Sequence, residues 1–196
     1  MNSLMKNFLG IYIILLMFAG NKLLAQEVIE KTSLSTAIGI GINEGLKETG
    51  NGLLYSVGWQ KSYGAKSKLR MNPNLMIGSF SPKFISDVRE QYYRITTLDV
   101  NAHYDIVRVD AFSIVASVGG GINYSRGLLG TGGMTYHDRS VYFNTIYLVG
   151  NASLGFRIAP KTKKVAYVIR PINLQVGNKG FVLGYFSFGL DFKLKQ

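Results

Sequence analysis

The sequence predicts an all-β protein, an eight-stranded antiparallel up-and-down transmembrane β-barrel, and three observations predict it. Apolar residues recur with period two in eight successive segments, and no helical period of note follows residue 26. The opposite face of those segments is mostly Gly, Ser, Asn and Gln, with isolated Arg, Asp and His, where a soluble sheet would show Lys, Glu and Thr. The connections alternate between short and long, as in barrels with tight turns at one end and longer loops at the other. Composition agrees: 47% of the 196 residues are hydrophobic and 17% charged, against about 25% charged in a typical soluble chain. Twenty-three glycines and twenty-three Tyr plus Phe argue against disorder, and zero cysteines exclude a disulfide scaffold, a thiolate metal site and a cysteine nucleophile.

The first 25 residues read as a cleaved signal peptide, leaving 26–196 as the barrel. Met1–Lys6 is short and positive, and Phe8–Ala19 is a twelve-residue apolar run, too short for the roughly 20 residues a spanning helix needs. Cleavage after Ala25 would remove Lys6 and Lys22, taking the formal charge from +11 to +9.

The segments follow in order. The first sets Leu34, Thr36, Ile38, Ile40 and Ile42 on one face, and the second Leu53, Tyr55, Val57 and Trp59. The third has Leu69, Met71, Pro73, Leu75 and Ile77. The fourth sets Leu98, Val100, Ala102, Tyr104 and Ile106 against Thr97, Asp99, Asn101, His103 and Asp105. The fifth aligns Phe112, Ile114, Ala116, Val118, Ile122 and Tyr124, and the sixth Ile146, Leu148, Ala152, Leu154 and Phe156. The seventh slips phase near Pro171, where a residue without an N–H predicts a bulge. The eighth is the cleanest: Phe186, Phe188, Leu190, Phe192 and Leu194 against Ser187, Gly189, Asp191 and Lys193. Backbone groups in lipid must all be paired, so eight such strands have to close.

The short connections are Gly64–Ser67, Val107–Asp110 and Pro160–Lys163. Opposite them lie Glu44–Asn51, Ser81–Gln91, the long Arg126–Tyr142 and the brief Asn178–Lys179. This parity puts Arg126–Tyr142 outside and the short turns inside. Aromatic residues cluster near segment ends, as interfacial girdles do.

By pattern the mature chain resembles small eight-stranded outer-membrane barrels of the OmpX and OmpA-barrel type. It is also similar to the outer-membrane β-barrel domain of Bacteroidota that includes PorT-like proteins. Tyr92–Ile106 resembles that family's strand with a Tyr-Leu-Glu-Ile-Pro core, Leu98, Asp99 and Val100 matching in kind and Asn101 standing where proline is usual. The resemblance implies export to the outer membrane of a Gram-negative cell.

Chemistry is sparse. A lumen polar network of Arg70, Arg94, Asp99, His103, Arg157, Arg170 and Asp191 is expected to fill the interior, because eight strands leave room only for side chains. Asp191 is expected to pair with Arg170 on the neighbouring strand. Two histidines in the whole chain exclude a His-rich metal site, and no cofactor is expected. His137, in the run Tyr136–Ser140, could serve a lipid A acyl hydrolase or transferase, but adjacency within one loop builds no triad, and a solvated loop accounts for it better. The glycine runs Gly119–Gly121 and Gly130–Gly133 lack the Lys-Ser/Thr and helix of a phosphate loop. A basic inner collar gathers Lys61, Lys66, Lys68, Arg108, Lys161, Lys163, Lys164, Lys193 and Lys195 against Asp105 and Asp110. It is spread over separate turns and forms no nucleic-acid stripe; it suits anionic headgroups, a periplasmic partner, or ordinary solvated turns.

The functional expectation is a non-enzymatic barrel with a structural or surface-interaction role, with outer-membrane lipids and proteins at loops or turns as partners. The alternatives are a PorT-like accessory of a secretion or assembly machine, and a lipid A-modifying enzyme using His137.

Overall fold

The computed structural model describes residues 32–44, 49–64, 67–81, 92–129, 141–160 and 164–194. Eight strands run β1 (Thr32–Glu44), β2 (Thr49–Tyr63), β3 (Leu69–Ser81), β4 (Tyr92–Val109), β5 (Phe112–Leu129), β6 (Val141–Ile158), β7 (Val165–Gly177) and β8 (Val182–Lys193). Each pairs antiparallel with the next, and β8 pairs with β1, so the sheet closes into a barrel. The closing ladder runs from Ser33 opposite Lys193 to Asn43 opposite Leu183. Closure leaves no unpaired edge, the condition for a strand protein in lipid.

Period two decides which residues face out. Ile38, Leu53, Leu98, Val118 and Leu148 are each 62–65% exposed on the outer wall. A water-soluble surface rarely carries a contiguous apolar patch beyond a few hundred Å². Here the apolar face encircles the whole wall, and the fold is that of a transmembrane β-barrel. Alternate residues turn inward, among them Ser33, Gln60, Arg70, Thr97, His103, Asn123 and Asp191, all buried.

Both ends of the described chain lie where the turns are short. There Asp110 and Ala111 alone join β4 to β5, with Asp110 in the left-handed region at φ 51. The other end, the loop end, carries the connections 45–48, 82–91, 130–140 and the tight turn Asn178–Gly180.

Three boundaries differ from the sequence expectation. β4 continues to Val109 through a bulge at Ile106, so Val107 and Arg108 belong to a strand. β5 and β6 run on to Leu129 and from Val141, so Arg126 and Tyr142 are ladder residues and the loop shrinks to 130–140. β1 and β2 approach to within the four residues 45–48. The extensions of β4, β5 and β6 carry exposed apolar side chains of their own, Val107, Val109, Leu128, Val141 and Tyr142, and backbone pairing continues along them. The break near Pro171 is present: register shifts fall between Leu154 and Phe156 in β6–β7 and between Arg170 and Asn173 in β7–β8. The signal peptide read at 1–25 lies outside the described residues.

Gly119 and Gly121 face inward on β5. A Cβ on Gly119 would meet Asn101 Oδ1 and the Val100 carbonyl, and one on Gly121 the Leu98 carbonyl. These glycines let β4 and β5 pass close together beside Asp99, so side chains from across the lumen can reach it.

Candidate functional site

The barrel interior is the candidate site, and it has three levels. At the loop end sits an apolar plug of Leu54, Met76, Phe80, Tyr93, Ile95, Tyr147, Val149, Phe181 and Leu183, all buried. Phe80 stacks on Tyr93 with centroids 5.4 Å apart, and Tyr147 meets Phe181 at 4.9 Å. Phe143 packs edge-on against Tyr93. Asn43 Nδ2 donates to Tyr93 Oη at 3.0 Å, tying β1 to β4 across the interior.

The middle level is polar. Asp99 accepts from Asn101 Nδ2 at 2.7 Å and from Asn151 Nδ2 at 3.0 Å, and Gln175 donates to Asn151 Oδ1 at 2.9 Å. Asn72 Nδ2 lies 3.3 Å from His103 Nε2. A pocket of about 50 Å³ remains here, bordered by Asn72, Asn101, His103, Asn151, Arg170 and Asn173.

At the turn end two ionic clusters form. Asp105 holds Arg70 at 2.7 Å and also Arg108, which donates a further bond to the Ser67 carbonyl at 3.2 Å. Asp191 accepts from Arg157 Nε at 3.0 Å and from Gln60 Nε2 at 3.1 Å. Below them opens a recess of about 540 Å³ bordered by Arg70, Arg108, Asp110, Arg157 and Lys193.

Five of the seven expected lumen residues, Arg70, Asp99, His103, Arg157 and Asp191, are buried in these levels, and Arg170 is half-buried beside the central pocket. Arg94 is a correction. It is exposed and shares the outward face of Thr96 and Leu98, where its Nε donates to Tyr92 Oη at 3.1 Å. The period of the strand, not the charge, decides its side. The partner of Asp191 is also corrected: it is Arg157 on β6, two strands away across the lumen, while Arg170 stands opposite Ser187.

The basic collar divides. Lys61 lies over the Tyr63 ring on the outer wall at 5.8 Å, and Lys193 Nζ donates to the Pro160 carbonyl at 2.8 Å beside the recess. Arg108 is drawn into the Asp105 cluster, Lys164 is exposed and Lys68 half-buried. Lys66, Lys161, Lys163, Lys195 and His137 lie outside the described residues. The sequence reading missed the plug and the central part of Asp105. The plug left a signal: the inward positions Leu54, Met76, Tyr147 and Val149 turn apolar toward the loop end. Among the described residues no group of three or more His, Asp or Glu stands close enough to hold a metal ion.

Comparison with solved structures places the fold among small outer-membrane barrels. Neisserial surface protein A matches with a TM-score of 0.57 at 12% identity, covering 83% of this chain and 97% of that one. Ail, the attachment invasion locus protein of Yersinia pestis, matches with a TM-score of 0.53 at 9% identity, over 84% and 99%. The outer membrane enzyme PagL matches with a TM-score of 0.50 at 10% identity, over 82% and 99%. At such identities the likeness is one of fold. No family model matches the chain, and no curated protein matches its sequence.

Proposed function

We propose that this protein is a non-enzymatic outer-membrane barrel, exported through a signal peptide, with a structural or surface-interaction role carried by its loops. One observation supports this reading above the rest: side chains cross the lumen at both ends, and a pocket of about 50 Å³ remains between them. The plug closes the loop end and the ion pairs cross the barrel above the turn-end recess, so the interior serves to hold the wall rather than to pass a solute. The loop end, with connections 82–91 and 130–140, is then the surface turned outward. The test is fractionation together with the lipid A profile of cells with and without the protein. Recovery in the outer membrane with an unchanged profile is expected. Changed lipid A acylation that His137→Ala abolishes would overturn the non-enzymatic reading.

The recess at the turn end favours a second reading, an accessory of a secretion or assembly machine. Arg108 and Lys193 border that opening, where an acidic periplasmic partner would meet them. A stoichiometric partner that co-purifies with the protein and is lost in Lys193→Glu supports this reading. Co-purification unaffected by that change removes it.

A further inference from the structure

Arg94 belongs to a row that the register makes explicit. Ser79 on β3 stands opposite Arg94 on β4, Arg94 opposite Arg126 on β5, and Arg126 opposite Asn144 on β6. All four lie on outward-facing positions of their strands, and both arginines are exposed. Two guanidinium groups directly opposite each other on adjacent strands repel, which costs stability unless an anion lies between them. Among the described residues no carboxylate pairs with either.

The row has a defined depth. On β5 the outward positions from Phe112 to Tyr124 carry apolar or aromatic side chains apart from Gly120, and Arg126 is the next outward residue. That run of twelve steps is about 40 Å of strand, which at a tilt of about 40° rises about 30 Å, slightly more than the roughly 25 Å apolar band of such barrels. The row below Arg94 and Arg126 is Ile77, Thr96, Tyr124 and Ile146, and below that Leu75, Leu98, Ile122 and Leu148. The arginines therefore stand at headgroup level, above a wall for acyl chains.

The local geometry is built to receive an anion. Tyr92 Oη accepts from Arg94 Nε and lies 3.1 Å from Ser79 Oγ, which fixes that guanidinium on the wall. Lys179 Nζ donates to the Ile146 carbonyl at 3.2 Å, adding a third cation two residues along β6 from Asn144. Paired guanidiniums match phosphate oxygens in bidentate fashion.

We propose that Arg94 and Arg126 form a binding site for the phosphate of an outer-leaflet lipid, a phosphorylated glycolipid whose acyl chains lie along β4 and β5. The assignment of leaflet rests on the orientation proposed above; the phosphate site itself does not.

The test uses the full-length folded barrel in micelles of a maltoside detergent, which carries no phosphate, with or without bisphosphorylated lipid A. The unfolding midpoint is read for the wild type, Arg94→Gln, Arg126→Gln and the double variant. Bisphosphorylated lipid A should raise the wild-type midpoint by several degrees, less in each single variant and not at all in the double. In the detergent alone the single variants should melt at or above the wild type, because the repulsion is relieved. Equal stabilisation of wild type and double variant by lipid A overturns the site. Stabilisation reproduced in full by dephosphorylated lipid A overturns the phosphate as the ligand, and stabilisation reproduced in full by inorganic phosphate in solution overturns the lipid as its source. Protease cleavage at Arg139 from outside whole cells tests the orientation separately, so the two readings fail by different results.

Discussion

The two ends of the lumen are filled by the same eight strands in opposite ways. The loop end packs rings and aliphatic side chains, Phe80 on Tyr93 and Tyr147 on Phe181, with one hydrogen bond from Asn43 crossing them. The turn end packs charge, with Arg70 and Arg108 on Asp105 and Arg157 with Gln60 on Asp191. Apolar contact is non-directional and degrades gradually as atoms are removed. A buried ion pair fails abruptly, because removing one partner leaves the other charge desolvated and alone. The plug seals, and the ionic end fixes the register: Asp191 reaches Arg157 and Gln60 only when β2, β6 and β8 are correctly placed around the barrel.

The largest effect expected from this contrast is at Asp105. Asp105→Ala leaves Arg70 buried without its ion-pair partner and should cost about 3–5 kcal/mol. Urea unfolding of the protein in lipid vesicles measures it; a loss below about 1 kcal/mol would mean water already solvates Arg70. Replacing both partners, Arg157→Leu with Asp191→Leu, should cost much less than Asp191→Ala alone, since a paired apolar replacement of a buried ion pair is often neutral. Equal losses would show that the pair does more than satisfy itself.

At the plug a smaller change is expected. Tyr93→Phe keeps the ring and strands Asn43 Nδ2, at a cost of about 1–3 kcal/mol. The gel heat-shift temperature reads it, and restoration by Asn43→Leu in the same chain would identify the hydrogen bond as the cause. The smallest effect belongs to the loop. His137→Ala should stay within about 0.5 kcal/mol of wild type and leave lipid A unchanged.

Much of the wall was legible from residues. Period two placed Leu34 to Ile42 and Phe186 to Leu194 on the lipid side because nothing else lets a strand bury backbone and expose apolar side chains. The ends of β5 and β6 were not legible, since Arg126 interrupts the outward apolar run and the adjacent apolar residues Leu128 and Leu129, and Val141 and Tyr142, show no period of two. Arg94 was misplaced by reading its charge as a lumen mark when its spacing from Leu98 already put it outside. The Asp191–Arg157 pair could not be read at all. It spans the lumen from β8 to β6, and only the stagger of the closed barrel brings those two positions to one height.

The central claim is that the lumen is sealed, by apolar packing at one end and ion pairs at the other. Conductance of the purified barrel in a planar lipid bilayer tests it most directly. The wild type should show no steady current above the bare membrane, whereas Phe80→Ala with Phe181→Ala should open the loop end to transient steps. Steady conductance steps from the wild-type protein would contradict the account.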